Sequence, residues 1–287
     1  MKIIADAGST KTDWRIIDDV GDVAYSIQTA GINASVSSDS EISHIIIEVG
    51  EYIKKNRLGN DNADIYYYGA GCNSDSTSLR ILEAFRTTFP VTINSIKVGS
   101  DILGAAVALF GDEPGIACVL GTGSASAYFD GSRIIKSVPS LGYILGDEGS
   151  GAYLGRELLN RYFKGLLSAE TTELLRQDYG LELAEVIGNV YRKTSPNAYL
   201  ASFASFIINY REREDLKKLV YDGINEFFKR NINRYEEAYR TSLGFVGSLA
   251  YFFSDMLQER AKMDGFVISK IIRQPLEEIV KHHLQKR

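Results

Sequence analysis

The sequence has few of the residues on which many metal and redox centres depend. Its 287 residues include two cysteines, Cys72 and Cys118, and three histidines. The cysteines stand alone in apolar or small-residue surroundings, without a CxxC or Cys/His spacing, so we expect two buried, reduced thiols. A cysteine-ligated iron–sulfur cluster needs several thiolates brought together, which this spacing disfavours. We expect the histidines, His44, His282 and His283, to be solvated surface residues.

Long apolar runs and an excess of basic charge are also missing. No run approaches the roughly 20 apolar residues of a membrane span, and no targeting segment opens the sequence, so a cytoplasmic protein is expected. The formal net charge of −5 gives no general attraction to nucleic acid or to a membrane surface. The 45% hydrophobic content allows a sizeable core, and the length favours two domains.

The first half of the chain alternates strand-like and helix-like segments. MKIIADAG, TDWRIIDD and VAYSIQTA predict three strands, with the second turn centred on VGDV (residues 20–23). A helical pattern follows at residues 39–56, and then strand IYYYGAG, helix DSTSLRILEAFRTTF, a strand ending in SIKVGSD and helix ILGAAVALFG. This order predicts a mixed α/β lobe over residues 1–112.

The second half repeats the opening design. After the polar break GDEPG, the segment IACVLGTGSASAYFDG again gives a strand, a small-residue turn and a second strand. We expect a second α/β lobe over residues 113–287, with a large helical insertion at about 151–240. Its tail reads as strand GFVISKII and helix PLEEIVKHHLQK, and this last helix could pack back on the first lobe.

Two glycine and hydroxyl turns stand at the same place in the two lobes. Gly8 lies in DAGSTKTDW, and the second turn begins at Gly121; neither has the spacing of a Walker A loop. Glycine lets backbone N–H groups approach a phosphate chain closely, so the pair favours nucleotide binding. Asp6, just before the first turn, suits a Mg²⁺ ion held partly through water. A third glycine turn lies at residues 244–248.

Four segments together resemble a known family. DAGSTKTDW, LGTGSASAYFDG, GYILGDEGSG and GFVGSLA are similar, in this order and over nearly the whole chain, to the N-acetylglucosamine kinase branch of the acetate kinase, sugar kinase, heat-shock chaperone and actin superfamily. That superfamily includes the benzoyl-CoA reductase activator-type ATPases. The resemblance implies an α/β protein with two ribonuclease-H-like lobes, the actin-like ATPase fold, around a nucleotide cleft.

The resemblance also implies ligands and their residues. ATP and Mg²⁺ would be the cofactors, with Asp6 near the metal and a small-molecule sugar as substrate. Residues that would contact the nucleotide are Gly8, Ser9, Thr10, Lys11, Thr122, Gly123, Ser124, Gly247 and Ser248. The sequence leaves the oligomeric state open, with a homodimer among the alternatives because dimers are common among related kinases.

Asp101, in VGSDILGAA, is the candidate catalytic base. It stands where a strand ends and a helix begins, which is where similar sugar kinases place the carboxylate that accepts the sugar hydroxyl proton. The alternative is that Asp101 or Ser100 is only a helix N-cap.

The sugar site is expected in two loops. Asn33 in AGINASV matches an asparagine that similar kinases direct at the substrate, and the second loop supplies Asp147, Glu148, Gly149 and Ser150. Asp147, Glu148 and Ser150 could instead cap the helix that follows. The sugar loop of animal relatives carries a tryptophan where this chain has Leu141. This chain therefore has no aromatic ring at that position to stack against the acetamido group.

Several functions therefore stay open at this point. N-acetylglucosamine is the first substrate, and N-acetylmuramate, glucosamine or another hexose are alternatives. An activator-type ATPase, or a sensor that binds sugar or nucleotide without catalysis, are the competing functions.

Overall fold

The computed structural model describes residues 1–18, 23–56, 58 and 62–285. These residues form two compact units: Met1–Asp112 together with Pro275–Arg287, and Glu113–Gln274. The segment Pro275–Arg287 thus groups with the first unit, on which the sequence pattern allows the last helix to pack. Within the described residues, no helix has the length and apolar character needed to cross a bilayer.

The first unit contains a five-stranded sheet in the order β3-β2-β1-β4-β5. Its strands are β1 (Lys2–Ala7), β2 (Lys11–Ile17), β3 (Val23–Ala30), β4 (Asn62–Gly69) and β5 (Thr92–Ser100). The first three are antiparallel to one another, and β4 and β5 run parallel to β1. The carboxyl ends of β1, β4 and β5 therefore meet at one edge, where open α/β sheets bind their ligands. Of the turn predicted at residues 20–23, residues 20–22 lie outside the described residues, and Val23 begins β3.

Three helices follow these strands. They are α1 (Asp39–Lys55), α2 (Asp75–Thr88) and α3 (Asp101–Phe110). Ser38 and Glu41 form a capping box at the start of α1, which satisfies two backbone N–H groups that have no partner within the helix. Trp14, Tyr67 and Phe85 pack against one another in the core of this unit and are fully buried.

The second unit repeats this sheet. Its strands are β6 (Gly115–Leu120), β7 (Ser124–Phe129), β8 (Ile134–Ser137), β9 (Ser242–Val246) and β10 (Ile268–Ile272), in the order β10-β9-β6-β7-β8. Strands β6, β7 and β8 are antiparallel, and β9 and β10 run parallel to β6. Read in chain order, each sheet therefore has the same topology, as the repeated sequence pattern predicts.

A long helical region separates β8 from β9. After the short α4 (Gly142–Leu145), it comprises α5 (Gly151–Phe163), α6 (Ala169–Tyr179), α7 (Leu183–Tyr191), α8 (Pro196–Ser202), α9 (Ala204–Asn209) and α10 (Glu214–Arg230). Within the predicted helical insertion, α8 and α9 are divided at Phe203, whose N–H donates to Leu200 O at 3.3 Å in a tighter turn. This turn separates α8 from α9 and leaves Phe203 and Phe206 both buried.

The remaining helices are α11 (Ser248–Phe252), α12 (Ser254–Met263) and α13 (Leu276–Gln285). Helix α13 packs on α3 and β1 of the first unit and buries Leu276, Ile279 and Val280. The expectation that His283 is a solvated surface residue is wrong. Its ring is buried and stacks on Tyr66 with the centroids 3.8 Å apart, because the apolar face of α13 turns it toward the sheet.

Candidate functional site

The first glycine turn joins β1 to β2, and backbone hydrogen bonds within the first unit hold it in place. The Gly8 N–H donates to Lys11 O at 2.9 Å. Where β3 ends, Gly31 N–H donates to Thr10 O at 3.1 Å, and a Cβ on Gly31 would lie 2.4 Å from the carbonyl carbon of Ser9. Only glycine allows this approach, so the turn and the end of β3 form one rigid piece.

Asp6 lies directly opposite Asp13 in the β1–β2 pair. Like charges at such a position destabilise a sheet. In the duplicated sheet, the pair at the equivalent distance from the turn is Val119 and Ala125. The fold therefore does not require carboxylates here, which favours a functional reason for them.

Asp13 is neutralised locally, whereas Asp6 is not. Lys11 Nζ lies 2.7 Å from Asp13 Oδ2, and Gln28 Nε2 donates to Asp13 Oδ1 at 2.7 Å. Burial opposes ionisation of Asp13, but the hydrogen bonds from Lys11 and Gln28 outweigh it and lower its pKa. Desolvation, reinforced by the charges of Asp101 and Asp13, raises the pKa of Asp6 to about 6.

The residues present fit a Mg²⁺ ion held together with phosphate oxygens. No group of three or more metal-binding side chains occurs within the described residues, so there is no all-protein cage in that part of the chain. Mg²⁺ usually binds through one or two carboxylates, water and substrate phosphates. Asp6, a desolvated carboxylate beside a glycine turn, meets that requirement.

Asp101 is the first residue of α3, at the same sheet edge as Asp6. Ser100 acts as the N-cap, because its side chain accepts the Leu103 N–H at 3.3 Å. Asp101 Oδ1 accepts a local hydrogen bond from the Ile102 N–H at 2.8 Å. Desolvation raises the pKa of Asp101 and the Ile102 hydrogen bond opposes it. The side chain remains accessible to solvent, so the carboxylate can meet a ligand.

Asn33 lies against the first glycine turn. Its Nδ2 donates to Ser9 Oγ at 3.0 Å, and its Oδ1 accepts the Ser35 N–H at 3.0 Å. Ala34 N–H donates to Ala70 O at 2.9 Å, which fixes this loop to the end of β4. The first unit thus places Asn33 beside Ser9, and Asp6 within electrostatic reach of Asp101.

The second glycine turn joins β6 to β7 and rests on the start of α5. Gly151 N–H donates to Gly121 O at 2.8 Å, and Ala152 N–H donates to Thr122 O at 3.0 Å. Gly247 has φ of 129°, and a Cβ there would lie 2.1 Å from Leu120 O. The third glycine turn, with Ser248 at the start of α11, therefore adjoins the second at the carboxyl ends of β6 and β9.

Asp147 also contacts the second turn. Its Oδ1 accepts the Ser124 N–H at 3.2 Å, and a Cβ on Gly123 would lie 3.1 Å from Oδ2. Asp147 has φ of 55°, the one positive value of a non-glycine residue among the described residues. Desolvation raises the pKa of Asp147, the Ser124 N–H lowers it, and the charge of Glu148 raises it. A left-handed aspartate is typical of functional loops.

The rest of this loop has partners within the second unit. The Glu148 carboxylate is buried, 3.5 Å from both Arg230 Nη1 and Asn231 Nδ2. Ser150 is fully buried and caps α5 by accepting the Tyr153 N–H at 3.2 Å, as the capping alternative predicts. Gly149 packs on Gly223 of α10. Among these loop residues, Asp147 is the best candidate to bind a ligand.

Sequence reasoning missed two residues of this site. Asp13 could have been found by counting strand positions outward from the turn, which places it opposite Asp6. Gly31 follows a strand-like segment and carries no local sign that another turn passes close to it.

Comparisons with protein-family models and with curated protein sequences gave no match. Among solved structures, the chain is similar to a putative N-acetylglucosamine kinase from Porphyromonas gingivalis, with a TM-score of 0.89, 36% sequence identity and 99% coverage of each chain. It also resembles a putative N-acetylglucosamine kinase from Chromobacterium violaceum, with a TM-score of 0.76, 16% identity and 98% coverage of each chain. A ROK hexokinase from Thermus thermophilus shares the fold, with a TM-score of 0.56, 12% identity and 99% coverage of each chain. On the 36% identity over nearly its full length, the chain belongs to the same family as the Porphyromonas gingivalis protein.

Proposed function

We propose that the protein is a sugar kinase that transfers the γ-phosphoryl group of ATP to an amino sugar, with N-acetylglucosamine as substrate and the 6-phosphate as product. The observation that carries the proposal is Asp101, a desolvated and accessible carboxylate at the end of β5 whose capping role is taken by Ser100. The membership of the chain in a family with a putative N-acetylglucosamine kinase supports the substrate.

In this proposal Asp101 accepts the proton of the attacking sugar hydroxyl. The hydroxyl oxygen forms a bond to the γ-phosphorus, the bond from that phosphorus to the β–γ bridging oxygen breaks, and ADP leaves. A raised pKa suits the base, since a carboxylate with a pKa nearer neutrality accepts the proton more readily. Mg²⁺, when bound at Asp6, supplies charge neutralisation on the phosphates.

The remaining residues bind and orient. The first turn, Gly8, Ser9, Thr10 and Lys11, and the second, Thr122, Gly123 and Ser124, line the phosphates. The Gly8 and Ser124 N–H groups keep their bonds to Lys11 O and Asp147 Oδ1 and shape the turns. Gly247 and Ser248 lie beside the adenosine. Asn33 and Asp147 hydrogen-bond the sugar, while Glu148, Gly149 and Ser150 hold the Asp147 loop in place.

Leu141 bears on which sugar is preferred. It is 57% exposed and provides no aromatic ring for stacking. N-acetylmuramate, glucosamine and unmodified hexoses therefore belong in the substrate panel. A homodimer and a cytoplasmic location stay predictions.

The test is a coupled assay of ADP release with Mg²⁺-ATP and this panel of sugars. We expect sugar-dependent release that Asp101→Asn lowers at least about 100-fold, while ATP affinity stays near that of the wild type. Asp75→Asn is the matched control, since Asp75 is likewise the first residue of a helix and follows a serine N-cap. Retained turnover in Asp101→Asn would overturn the role of the base. ATP binding without sugar-dependent release would favour a sensor.

A further inference from the structure

A cavity of about 510 Å³ opens in the helical region of the second unit, and none of the residues that line it has a role assigned above. Helices α5 and α7 form its two long walls, and residues of α4 and α8 close it. Because α5 and α7 both line the space, they are held apart along it. Its volume falls in the range of pockets that hold small organic ligands.

The α7 wall is an apolar helix face left partly in water. Leu183, Val186, Ile187, Val190 and Tyr191 line the cavity at helical spacing. Leu183 is 55% exposed, Ile187 44% and Tyr191 77%, and Ile144 of α4, on the same cavity, is 67% exposed. A contiguous apolar patch of this kind marks a binding surface on a protein that is otherwise covered by polar groups.

The α5 wall adds a line of polar and basic side chains. Arg156, Asn160 and Lys164 follow one another at intervals of four residues, beside the apolar Leu159 and Phe163. Two of the side chains that line the cavity are basic, and the described residues place no acidic one in its lining. The chain as a whole has a net charge of −5, so this basic edge is a local feature.

The two basic groups differ in their partners. Arg156 Nη1 donates to Tyr143 O at 3.1 Å, its Nη2 lies 3.4 Å from Glu157 Oε1, and the guanidinium stacks on Tyr153. Lys164 is exposed, and its ammonium makes no ion pair with the described residues. Lys164 is thus the group that can pair with a new anion, since the charge of Arg156 is already paired with Glu157.

We propose that this cavity binds an aliphatic monocarboxylate of medium chain length. The chain lies along the apolar face of α7, and the carboxylate lies at the C-terminal end of α5, where Lys164 attracts it. An apolar wall with a basic rim selects such an amphipathic anion over a polar metabolite and over a cationic amphiphile. The proposal does not rest on the proposed phosphoryl transfer.

Isothermal titration calorimetry of the full chain with decanoate, below its micelle-forming concentration, tests the proposal. Decylamine, in its protonated form, has the same chain with the opposite charge. We expect saturable binding of one decanoate, at least about tenfold tighter than decylamine, since a single charge-assisted hydrogen bond accounts for a tenfold change. Equal binding of the two amphiphiles, or binding that does not saturate at one equivalent, would overturn the site.

Three surface variants locate the binding. Ile187→Glu places a carboxylate in the apolar wall and should weaken decanoate at least about tenfold, and Lys164→Gln should reduce the preference for decanoate over decylamine. Leu79→Glu is the matched control, because Leu79 is a 52% exposed leucine on α2 of the first unit. Circular dichroism checks that each variant is folded. If Ile187→Glu binds decanoate as tightly as Leu79→Glu does, the cavity is not the site. Asp101→Asn should bind decanoate like the wild type, so failure of the kinase proposal leaves this test unaffected.

Discussion

Asp6 illustrates how a single residue can cost stability for the sake of a ligand. Its carboxyl is desolvated and faces Asp13 across the strand pair, and Asp101 adds a further negative charge nearby. The equivalent pair in the second sheet, Val119 and Ala125, has no such cost. Replacement of Asp6 should therefore stabilise the free protein and weaken Mg²⁺-ATP binding.

The sign of this effect with pH follows from the raised pKa of Asp6. The folded protein holds the Asp6 proton up to about pH 6, whereas the unfolded chain loses it near 3.8. The contribution of Asp6 to stability is thus present at low pH and is lost as pH rises through this window. Urea denaturation should show Asp6→Asn more stable than the wild type at pH 7.5, by at most about 3 kcal/mol, with the difference shrinking toward pH 4. A wild type more stable at pH 7.5 would contradict this account.

Asp147 allows its charge and its backbone conformation to be separated. Asparagine tolerates the left-handed region and can still accept the Ser124 N–H, whereas alanine can do neither well. We expect Asp147→Ala to lower the free energy of unfolding by about 1–3 kcal/mol and Asp147→Asn to change it little. A higher KM for the sugar in Asp147→Asn would then report the charge alone. Equal stability of the two variants would argue against strain at this position.

At the scale of elements, the glycine turns of the second unit can be told apart by substitution. A Cβ at Gly247 would overlap Leu120 O, but a Cβ at Gly121 meets nothing within 4 Å. Gly247→Ala should therefore lower the unfolding temperature clearly, with a cost above about 2 kcal/mol. Gly121→Ala should keep stability near that of the wild type. It should weaken ATP binding, because its Cβ would lie between the turn and the phosphates of the proposed nucleotide site. A tolerated Gly247→Ala would show that the β6 and β9 turns are not in close contact.

Which elements could be predicted depended on how local their signals are. Helix α1 has a capping box and an apolar stripe, and β4 carries the apolar and aromatic run IYYY, so both follow from neighbouring residues. The interruption between α8 and α9 does not follow from neighbouring residues, because it accompanies the tertiary packing of Phe203 and Phe206, which are both buried. Close approaches such as Gly31 to Ser9 join residues distant in the chain.

The same division applies to the candidate site. The glycine turns and Asp101 stand at strand ends, where the alternation of elements locates them. The separate roles within GDEGS follow only from the three-dimensional structure, since Asp147 contacts the β6–β7 turn, Glu148 pairs with Arg230, and Ser150 caps α5. Sequence alone assigns these neighbours one common function.

At the scale of the whole molecule, α13 completes the first unit. His283 Nε2 lies 2.9 Å from Tyr68 Oη, and Leu276, Ile279 and Val280 are buried. A chain that stops before Pro275 should therefore lose hydrogen-exchange protection in β1 and β4 and keep it in β6 and β9. Lys281→Ala, a change at an exposed position of the same helix, is the control and should leave protection unchanged. Uniform loss in both sheets would mean that the two units unfold together.

The division of the first unit into residues 1–112 and 275–287 has a consequence for biosynthesis. On the ribosome, the first unit cannot complete its packing until its last helix is translated, more than 160 residues after its strands. Residues 113–274, in contrast, emerge as one uninterrupted stretch. The unit that is translated second can therefore mature first. Until translation reaches residues 276–285, Tyr66 and Tyr68 lack the ring of His283 against which they pack.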